Sequence, residues 1–468
     1  MNKDSQKDVV IIGAGPGGYP AAFHAADLGM KVVLIDPEAN PGGVCLYRGC
    51  VPSKAFLHVA SFLHTVEQAP QWGVTVEKPR IDLDKLRGWK ESVIEELTRG
   101  LGQLVKQRNI DYLRGRARLI DAHHVSVTLS DGQEQKLSFE NAIVATGSLT
   151  ATLPGLPKSD RIMTSSEALD LRDLPHRLLV VGGGYIGLEL GQVYAALGSE
   201  VTLVEMLPEI LPGADRDLVR YLSLRLEQQF AAIRTGTKVS KMEETDTGLR
   251  VVFEGNHSGE EVYDKVMIAV GRKPFSGEVG LETTQGRCSE KGFIEVDGQR
   301  RTAEPSIFAI GDVVGEPMLA HKATHEARVA VDAIAGKKSV FEPRAIPFVV
   351  FSDPEIAWCG LSQTAAERQG KAVKVTTFPW AASGRATTLS RKDGVSKLIS
   401  DPESGRILGV GIAGQGAAEL LAEGVLAIEM GAVADDLALT IHTHPTLSET
   451  VMEAAQGFAG MSTHFRSK

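Results

Sequence analysis

The sequence predicts an α/β protein of two doubly wound, Rossmann-like domains followed by a separate C-terminal α+β domain. Three observations carry this. A strand, glycine-rich turn, helix and second strand occur in that order twice over. At 468 residues the chain exceeds what one hydrophobic core usually serves, so three or four domains are expected. Pro343 and Pro347 then separate a last region in which the apolar pattern changes.

The first unit runs from the apolar strand Val9–Ile12 through the turn into an alanine-rich helix ending near Gly29, then the strand Val32–Ile35, which ends at Asp36. The second runs from Leu178–Val181 through its turn and a helix to about Gly198, then Val201–Val204, ending at Glu205. Each is a βαβ unit of about thirty residues, half of a dinucleotide-binding fold. Between them lie a long helical stretch, Asp84–Arg108, and short strands ending at Asn141–Gly147. After Gly271 a polar region leads to the strand Ile307–Ile310. Beyond the two prolines, alternating apolar segments and two helices predict an α+β domain that closes at a histidine-rich turn. The expected segments are 1–147, 148–271, 272–345 and 346–468. Pro20, early in the first helix, predicts a bend there.

Gly13, Gly15 and Gly18 form one G-x-G-x-x-G turn, and Gly182, Gly184 and Gly187 form another. Such glycines permit a tight turn and bring backbone N–H groups close to a pyrophosphate at a helix N-terminus. A lone match is weak, because strand–helix turns are also glycine-rich for packing alone. Here each follows a strand, opens a helix and meets an acid about twenty residues on, where a ribose hydroxyl needs an acceptor. Two turns imply two different dinucleotides. Glu205 accepts from ribose hydroxyls and repels a 2′-phosphate, and Met206-Leu207-Pro208-Glu209 supply no arginine to hold one, which favours NAD over NADP. The plainer reading of Glu205 is a solvated acid at a strand end.

Composition narrows the class. The chain is 43% hydrophobic and 23% charged, with 49 glycines against 21 prolines, as in a globular protein with many tight turns. Its net charge is −9 and no run of Lys or Arg makes a footprint for nucleic acid. The start, Met-Asn-Lys-Asp-Ser-Gln-Lys-Asp, has no apolar signal core and is too acidic for a transit peptide. The longest apolar stretch, Leu178 to Gly198, is rich in glycine and interrupted by Glu189, so it reads as strand–turn–helix and not as a membrane span. Four cysteines in this length make no secreted disulfide framework, which favours a cytoplasmic setting.

Cys45 and Cys50 lie in Gly42-Gly43-Val44-Cys45-Leu46-Tyr47-Arg48-Gly49-Cys50-Val51-Pro52-Ser53-Lys54. In a straight helix, Cα atoms five apart are roughly 8–9 Å apart, beyond the ~7 Å limit for a disulfide. A bridge therefore needs an irregular turn, for which Gly49 supplies conformational freedom and Pro52 interrupts regular helix. A loop this small gains little entropy on closing, so such a bond reads as reducible. Two buried free thiols, or a zinc half-site, are the alternatives; no matching Cys or His pair follows to complete the zinc set, and no metal is expected. Cys288 and Cys359 stand alone and read as structural.

With these segments, Ala145-Thr146-Gly147, Gly182–Glu189, Gly271-Arg272, Gly311-Asp312, Phe378–Ala386 and His442-Thr443-His444-Pro445-Thr446-Leu447-Ser448-Glu449, the sequence resembles the pyridine nucleotide–disulfide oxidoreductases nearly end to end. Within them it is most similar to the branch that oxidises dihydrolipoamide. The resemblance implies FAD on the first turn, with Asp36 on its adenosine ribose, Asp312 on its ribitol and Lys54 near the flavin N5, paired with Glu189. It further implies cofactor contacts at Gly115, Ala117, Thr146, Gly147, Val239, Gly271, Arg272, Gly311 and Ala320. Cys45 would exchange with substrate and Cys50 would form the charge-transfer thiolate. The C-terminal domain would be a dimerisation domain, and His444 and Glu449 would complete the partner's site in a homodimer. Implied partners are lipoyl domains and the core subunit of a 2-oxo acid dehydrogenase or glycine-cleavage complex; no nucleic acid and no membrane is expected.

The residues support a base independently. Thiol exchange needs a thiolate, His can take the proton, and a carboxylate on its other nitrogen fixes the tautomer. Thr446-x-x-Glu449 is also a capping box for the last helix, and His444 before Pro445 is also a plausible turn residue. His442 has no assigned role. Tyr47 stands where the family usually has Asn, Tyr185 resembles the gating tyrosine of glutathione-reductase-like relatives, and Phe275 replaces a common Asn. The nearest rival is a reductase of glutathione or of a metal thiolate. Glu205 opposes NADPH, and Phe465-Arg466-Ser467-Lys468 lacks the terminal cysteine pair of mercuric-ion reductases. A flavoprotein scaffold without turnover is the other rival, opposed by the intact Cys45–Cys50 and His444–Glu449 sets.

Overall fold

The structure, a computed structural model, describes residues 7–466. Most of the N-terminal segment read above for a targeting signal, and Ser467-Lys468, lie outside the described residues. The chain forms two compact units that interleave along the sequence. One comprises residues up to Ala55, Asp82–Ala151 and Gly271–Glu342; the other comprises Phe56–Ile81, Thr152–Val270 and everything from Pro343.

In the first unit the strands Lys7–Ile12 and Val32–Asp36 pair in parallel, flanked by Asp111–Asp121 and Glu134–Val144, and Ile307–Ala309 completes the edge. Val9, Ile11 and Leu34 face one core with Ala21, Ala22 and Ala25 of the helix Gly18–Asp27 and Ala327, Ala330 and Val331 of the helix Ala320–Ile334. Val10, Ile12, Val33 and Ile35 face a second core on the opposite side. Strands covered on both faces must be apolar at every position, which is why Val9–Ile12 and Val32–Ile35 read as unbroken apolar runs.

The bend expected at Pro20 has no cause. Pro20 is the third residue of its helix, among the first-turn N–H groups that a helix leaves unpaired. The Pro16 carbonyl, four residues back, accepts the Thr324 hydroxyl at 2.9 Å instead.

The second unit holds a parallel sheet in the order Ala232–Arg234, Glu200–Val204, Arg177–Val181, Lys265–Ile268, Ile162–Thr164. An antiparallel meander, Thr237–Thr245, Gly248–Gly255 and Gly259–Tyr263, packs beside it. From Pro343 on, five antiparallel strands take the order Phe348–Val350, Glu355–Gly360, Ile407–Gly414, Val395–Ser400, Lys374–Pro379. Where the sequence predicts two helices, the structure has one long helix, Ala417–Met430, and four short ones: Gln363–Arg368, Gly384–Thr388, Ala434–Leu439 and Glu449–Gln456. Pieces of five to eight residues barely complete two turns, too few for a 3.6-residue period to show. No helix among the described residues is long and apolar enough to cross a membrane.

One buried charge pair fixes this unit. Lys397, 1% exposed, places its ammonium 3.0 Å from Asp215, whose carboxylate also accepts the N–H groups of Gln363 and Thr364. Burial pushes the Asp215 carboxyl up, but those two N–H groups and the ammonium outweigh it and hold it below the usual carboxylate range. A carboxyl depressed by folding adds stability above its unfolded pKa and loses it as pH falls through the folded value. Lys397→Met strands a buried anion and should cost about 3–5 kcal/mol in denaturant unfolding at neutral pH, the deficit shrinking in acid. An equally stable variant would contradict this.

Candidate functional site

In the first unit the glycines of the turn are dictated by space. Gly13 has φ +99, and a Cβ there would lie 2.4 Å from the Ala145 carbonyl oxygen; one on Gly18 would lie 1.7 Å from that of Gly13. Gly43 backs onto Gly15 so closely that a Cβ would come within 2.5 Å of the Gly15 Cα. The turn opens the helix Gly18–Asp27, while Gly147, φ +74, faces open space. Asp36 ends its strand 7% exposed, accepting the N–H of Ala14 at 2.7 Å and of Glu38 at 3.0 Å. Burial raises its carboxyl above the usual range, with those two N–H groups pulling the other way. Arg114 pairs opposite Asp36, and a Cβ on the following Gly115 would meet the Thr128 carbonyl at 2.5 Å, so strand pairing alone demands that glycine. Ala117, on the same strand, packs against the second core.

The far end of this site is a hydrogen-bonded relay. Arg272 donates through Nε to the Ser148 hydroxyl and through Nη2 to the Ser148 carbonyl, both at 2.7 Å, and the hydroxyl donates to Asp312. Asp312 lies in the 3₁₀ turn Gly311–Val314, and Ala320 opens the helix Ala320–Ile334. Phe275 takes part through its backbone: its carbonyl accepts from Thr146 Oγ1 at 2.6 Å and its N–H reaches Gly147. A helix N-terminus behind a glycine-only turn, an acid at the strand end and a second acid on the Gly311 turn form the donor and acceptor set that FAD requires. Ser148, absent from the motifs above, is the link between Arg272 and Asp312; a lone serine on a short strand carries no signal of that.

The cysteines occupy the junction of two helices, Gly43–Arg48 and Cys50–Gln68. Gly49 breaks them with φ −144 and ψ −113, and a Cβ there would lie 2.9 Å from the Val44 carbonyl and 3.3 Å from the Cys45 Cα. The break brings the two sulfurs into hydrogen-bond contact as thiols. The Cys45 thiol is pushed far up, first by its hydrogen bond to Cys50, then by burial and by the charge of a Cys50 thiolate; the Cys50 N–H and Lys54 pull the other way. Tyr47 turns to the preceding loop, its hydroxyl donating to the Asn40 carbonyl at 3.0 Å and accepting the Asn40 N–H. Arg48 pairs with Glu38. Cys359 is buried, which pushes its thiol up to about 12, and Cys288 is exposed. No group of three or more His, Cys, Asp or Glu among the described residues could hold a metal ion.

The second unit repeats the first turn. Gly182 has φ +114 with no room for a Cβ against the Ala269 carbonyl, 2.3 Å away, and Gly187 would strike the Gly182 carbonyl at 2.1 Å. Gly184, the N-cap of the helix Tyr185–Leu197, faces open space. Glu205 accepts the N–H of Gly183 at 2.6 Å and of Leu207 at 2.7 Å. Arg234, whose carbonyl accepts the Glu205 N–H, commits its guanidinium to Glu261 and the Phe253 ring. No arginine is thus offered to a 2′-phosphate there, and the donor set fits NAD. Val239 is half-buried in the meander, and Tyr185 is 40% exposed at the first helical position. Glu189 is buried on that helix and accepts the Phe351 N–H at 2.9 Å; Lys54 stands in the other unit.

Also in the second unit, Glu449 accepts from His444 Nδ1 at 2.9 Å, leaving an imidazole whose side chain is 75% exposed. Its other oxygen accepts the Thr446 N–H at 2.7 Å. The Thr446 hydroxyl donates to the Thr443 carbonyl, and the helix begins at Glu449 with Ser448 as its N-cap, so the capping box expected from Thr446 and Glu449 does not form. One Glu449 oxygen thus meets the imidazole and the other the backbone just before the helix. Burial pushes its carboxyl up, but the Thr446 N–H, then His444 and His464, prevail and hold it below the usual range. His442 is an anchor for this turn, with Nδ1 on the Thr440 carbonyl at 2.9 Å and Nε2 on Glu423 at 2.8 Å.

The model of a family described as pyridine nucleotide-disulphide oxidoreductase matches residues 7–327, and that of its dimerisation domain matches residues 346–455. The chain is 44% identical to the dihydrolipoyl dehydrogenase of Vibrio parahaemolyticus over 471 residues, covering 100% of this chain and 99% of the relative. It is 45% identical to that of Vibrio cholerae over 468 residues, covering 99% and 98%. The solved structure of LpdA from Mycobacterium tuberculosis superposes with a TM-score of 0.90 at 26% identity, covering 96% of this chain and 99% of that one.

Proposed function

The chain belongs to the pyridine nucleotide-disulphide oxidoreductase family, and on that premise we propose that it oxidises dihydrolipoamide to lipoamide through Cys45 and Cys50, with FAD and NAD. One observation carries the thiol chemistry: the helix breaks at Gly49 and brings the Cys45 and Cys50 sulfurs into contact.

His444 takes the proton of one substrate thiol on Nε2, its exposed nitrogen, while Glu449 holds Nδ1 and so fixes the tautomer. The thiolate attacks the Cys45 sulfur of the oxidised pair, the Cys45–Cys50 bond breaks, and Cys50 leaves as the thiolate. His444 then returns its proton to the departing Cys45 sulfur and takes that of the second substrate thiol, which attacks the first substrate sulfur; the mixed disulfide breaks and lipoamide departs with its disulfide closed. FAD, when bound, would supply the acceptor for the electron pair of the dithiol and the hydride donor for NAD. Lys54, paired with Glu189, offers positive charge beside the flavin. Asp36, Gly115 and Ala117 serve the adenosine end, Asp312 the ribitol, and Glu205 and Val239 the NAD.

The dimerisation domain makes the working form a homodimer, in which His444 and Glu449 act on the Cys45 of the other subunit. Residues 1–147, 148–271 and 272–345 then serve FAD, NAD and completion of the FAD site, with 346–468 as the interface. The lipoamide is carried by lipoyl domains on the core subunit of a 2-oxo acid dehydrogenase or glycine-cleavage complex in the cytoplasm.

Anaerobic titration with dihydrolipoamide tests this reading: two-electron reduction should develop a long-wavelength charge-transfer absorption. A flavin spectrum left unchanged by excess dihydrolipoamide would overturn it. Glu205→Ala should lower kcat/KM for NAD by about 10–100-fold, the equivalent of losing a charged hydrogen bond, and narrow the preference over NADP. Unchanged steady-state selectivity would remove Glu205 from the NAD site.

A further inference from the structure

The turn that carries Asp312 is fastened by charges outside the proposed chemistry. Glu326, 0% exposed on the helix Ala320–Ile334, accepts the Gly311 N–H through Oε2 at 2.7 Å. One helical turn earlier, Lys322 reaches the carbonyls of Gly311 at 3.4 Å and Gly315 at 3.2 Å and pairs with Glu326 at 3.1 Å. Arg300 closes the cluster from another loop. Its Nη1 lies 3.1 Å from Glu326 and its guanidinium rests over the Phe341 ring. Arg300 holds φ +66, in the left-handed region where a side chain is disfavoured, so its delivery here works against local backbone preference.

A fully buried carboxylate is costly unless paired and hydrogen-bonded, and Glu326 is both. The cluster nevertheless holds two cations against one anion, each at most 15% exposed along its side chain. Both ends of the Gly311–Gly315 turn are bonded to it, one residue from Asp312. Reduced flavin carries more negative charge than oxidised flavin, and charge in a poorly solvated interior acts over short distances with little screening.

We propose that Glu326 is the positioning residue of the Asp312 turn, and that the Arg300–Glu326–Lys322 cluster, with its one surplus positive charge, raises the reduction potential of the flavin. The inference rests on the reading of Gly311-Asp312 as part of the FAD site.

The test uses the purified holoenzyme, its disulfide first reduced with dithiothreitol, with the flavin couple titrated against a redox dye. Glu326→Gln leaves two unopposed cations and should raise the ratio of reduced to oxidised flavin at fixed poise about tenfold, ~30 mV for two electrons. Arg300→Leu should lower it by a similar factor, and the double variant should return to within about threefold of wild type. FAD retention provides the positioning readout. Glu326→Ala, which strands the Gly311 N–H, should weaken FAD binding about tenfold or more, while Glu326→Gln keeps an acceptor oxygen and should hold FAD nearly as wild type does. Equal potentials in wild type and Arg300→Leu, or a double variant no nearer wild type than Glu326→Gln, would overturn the electrostatic role. FAD retention by Glu326→Ala equal to wild type would overturn the positioning role. Should the Glu326 variants fail to fold, Arg300→Leu alone decides, a fall supporting the inference and no change overturning it. A wild-type protein without a flavin spectrum would sink the FAD reading instead, a separate outcome.

Discussion

Cys45→Ser is expected to lower the oxidation of dihydrolipoamide by NAD by about 10⁴-fold or more, the scale on which removing a group that forms the covalent intermediate acts. The serine oxygen fits the space of the sulfur but forms no disulfide and cannot be the site of thiolate attack. Nothing in the dinucleotide turns depends on it: Gly13 donates its N–H to the Ile35 carbonyl and Asp36 accepts the N–H of Ala14. FAD should therefore remain bound, and transfer of hydride from NADH to an artificial dye should survive. Steady-state rates with both acceptors decide the matter, and a variant retaining more than about a hundredth of the dihydrolipoamide activity would refute the role assigned to Cys45. Cys50→Ser should also abolish turnover, because no disulfide can then form with Cys45.

The second large effect belongs to His444. His444→Gln keeps a polar side chain but no titrating nitrogen, and should cost about 10²–10⁴-fold, the usual contribution of a general base. The Glu449 carboxyl is held below its ordinary range by the Thr446 N–H and the imidazoles, despite partial burial. A depressed carboxyl is ionised above its folded pKa and contributes until the pH falls through that value. Glu449 therefore stays an acceptor for Nδ1 throughout the neutral range. Steady-state kcat/KM for dihydrolipoamide decides the role of His444, and a His444→Gln variant within about threefold of wild type would refute it.

Much of this architecture was legible in the residues because it is built from local rules. An apolar strand covered on both faces has to be apolar throughout, and a turn with no space for a Cβ has to be glycine, so Val9–Gly18 and Leu178–Gly187 declare themselves. Gly49 and Pro52 likewise announced an irregular turn between the cysteines. What escaped notice is made by contacts distant in the chain. Ser148 joins Arg272 to Asp312 across more than a hundred residues, and Lys397, a charged residue in a strand, finds Asp215 in the same way. Glu326 looks like any solvent-facing acid of an amphipathic helix until Arg300 and Gly311 are seen against it. Pro20 misled for the opposite reason, since its effect depends on how far into the helix it falls. Tyr47, which departs from the family's usual Asn, ties the redox helix to the loop before it through Asn40, a contact that residue identity alone does not announce.

The two oxygens of Glu449, the first residue of the closing helix, are divided between the imidazole and the Thr446 N–H of the turn that leads into it. Warming that frays this terminus would therefore slacken the base before the rest of the molecule melts, so catalysis should fade at temperatures where the spectroscopic signature of folding is still intact. Designs that stiffen the last helix would then extend the working temperature without touching any group that meets the substrate.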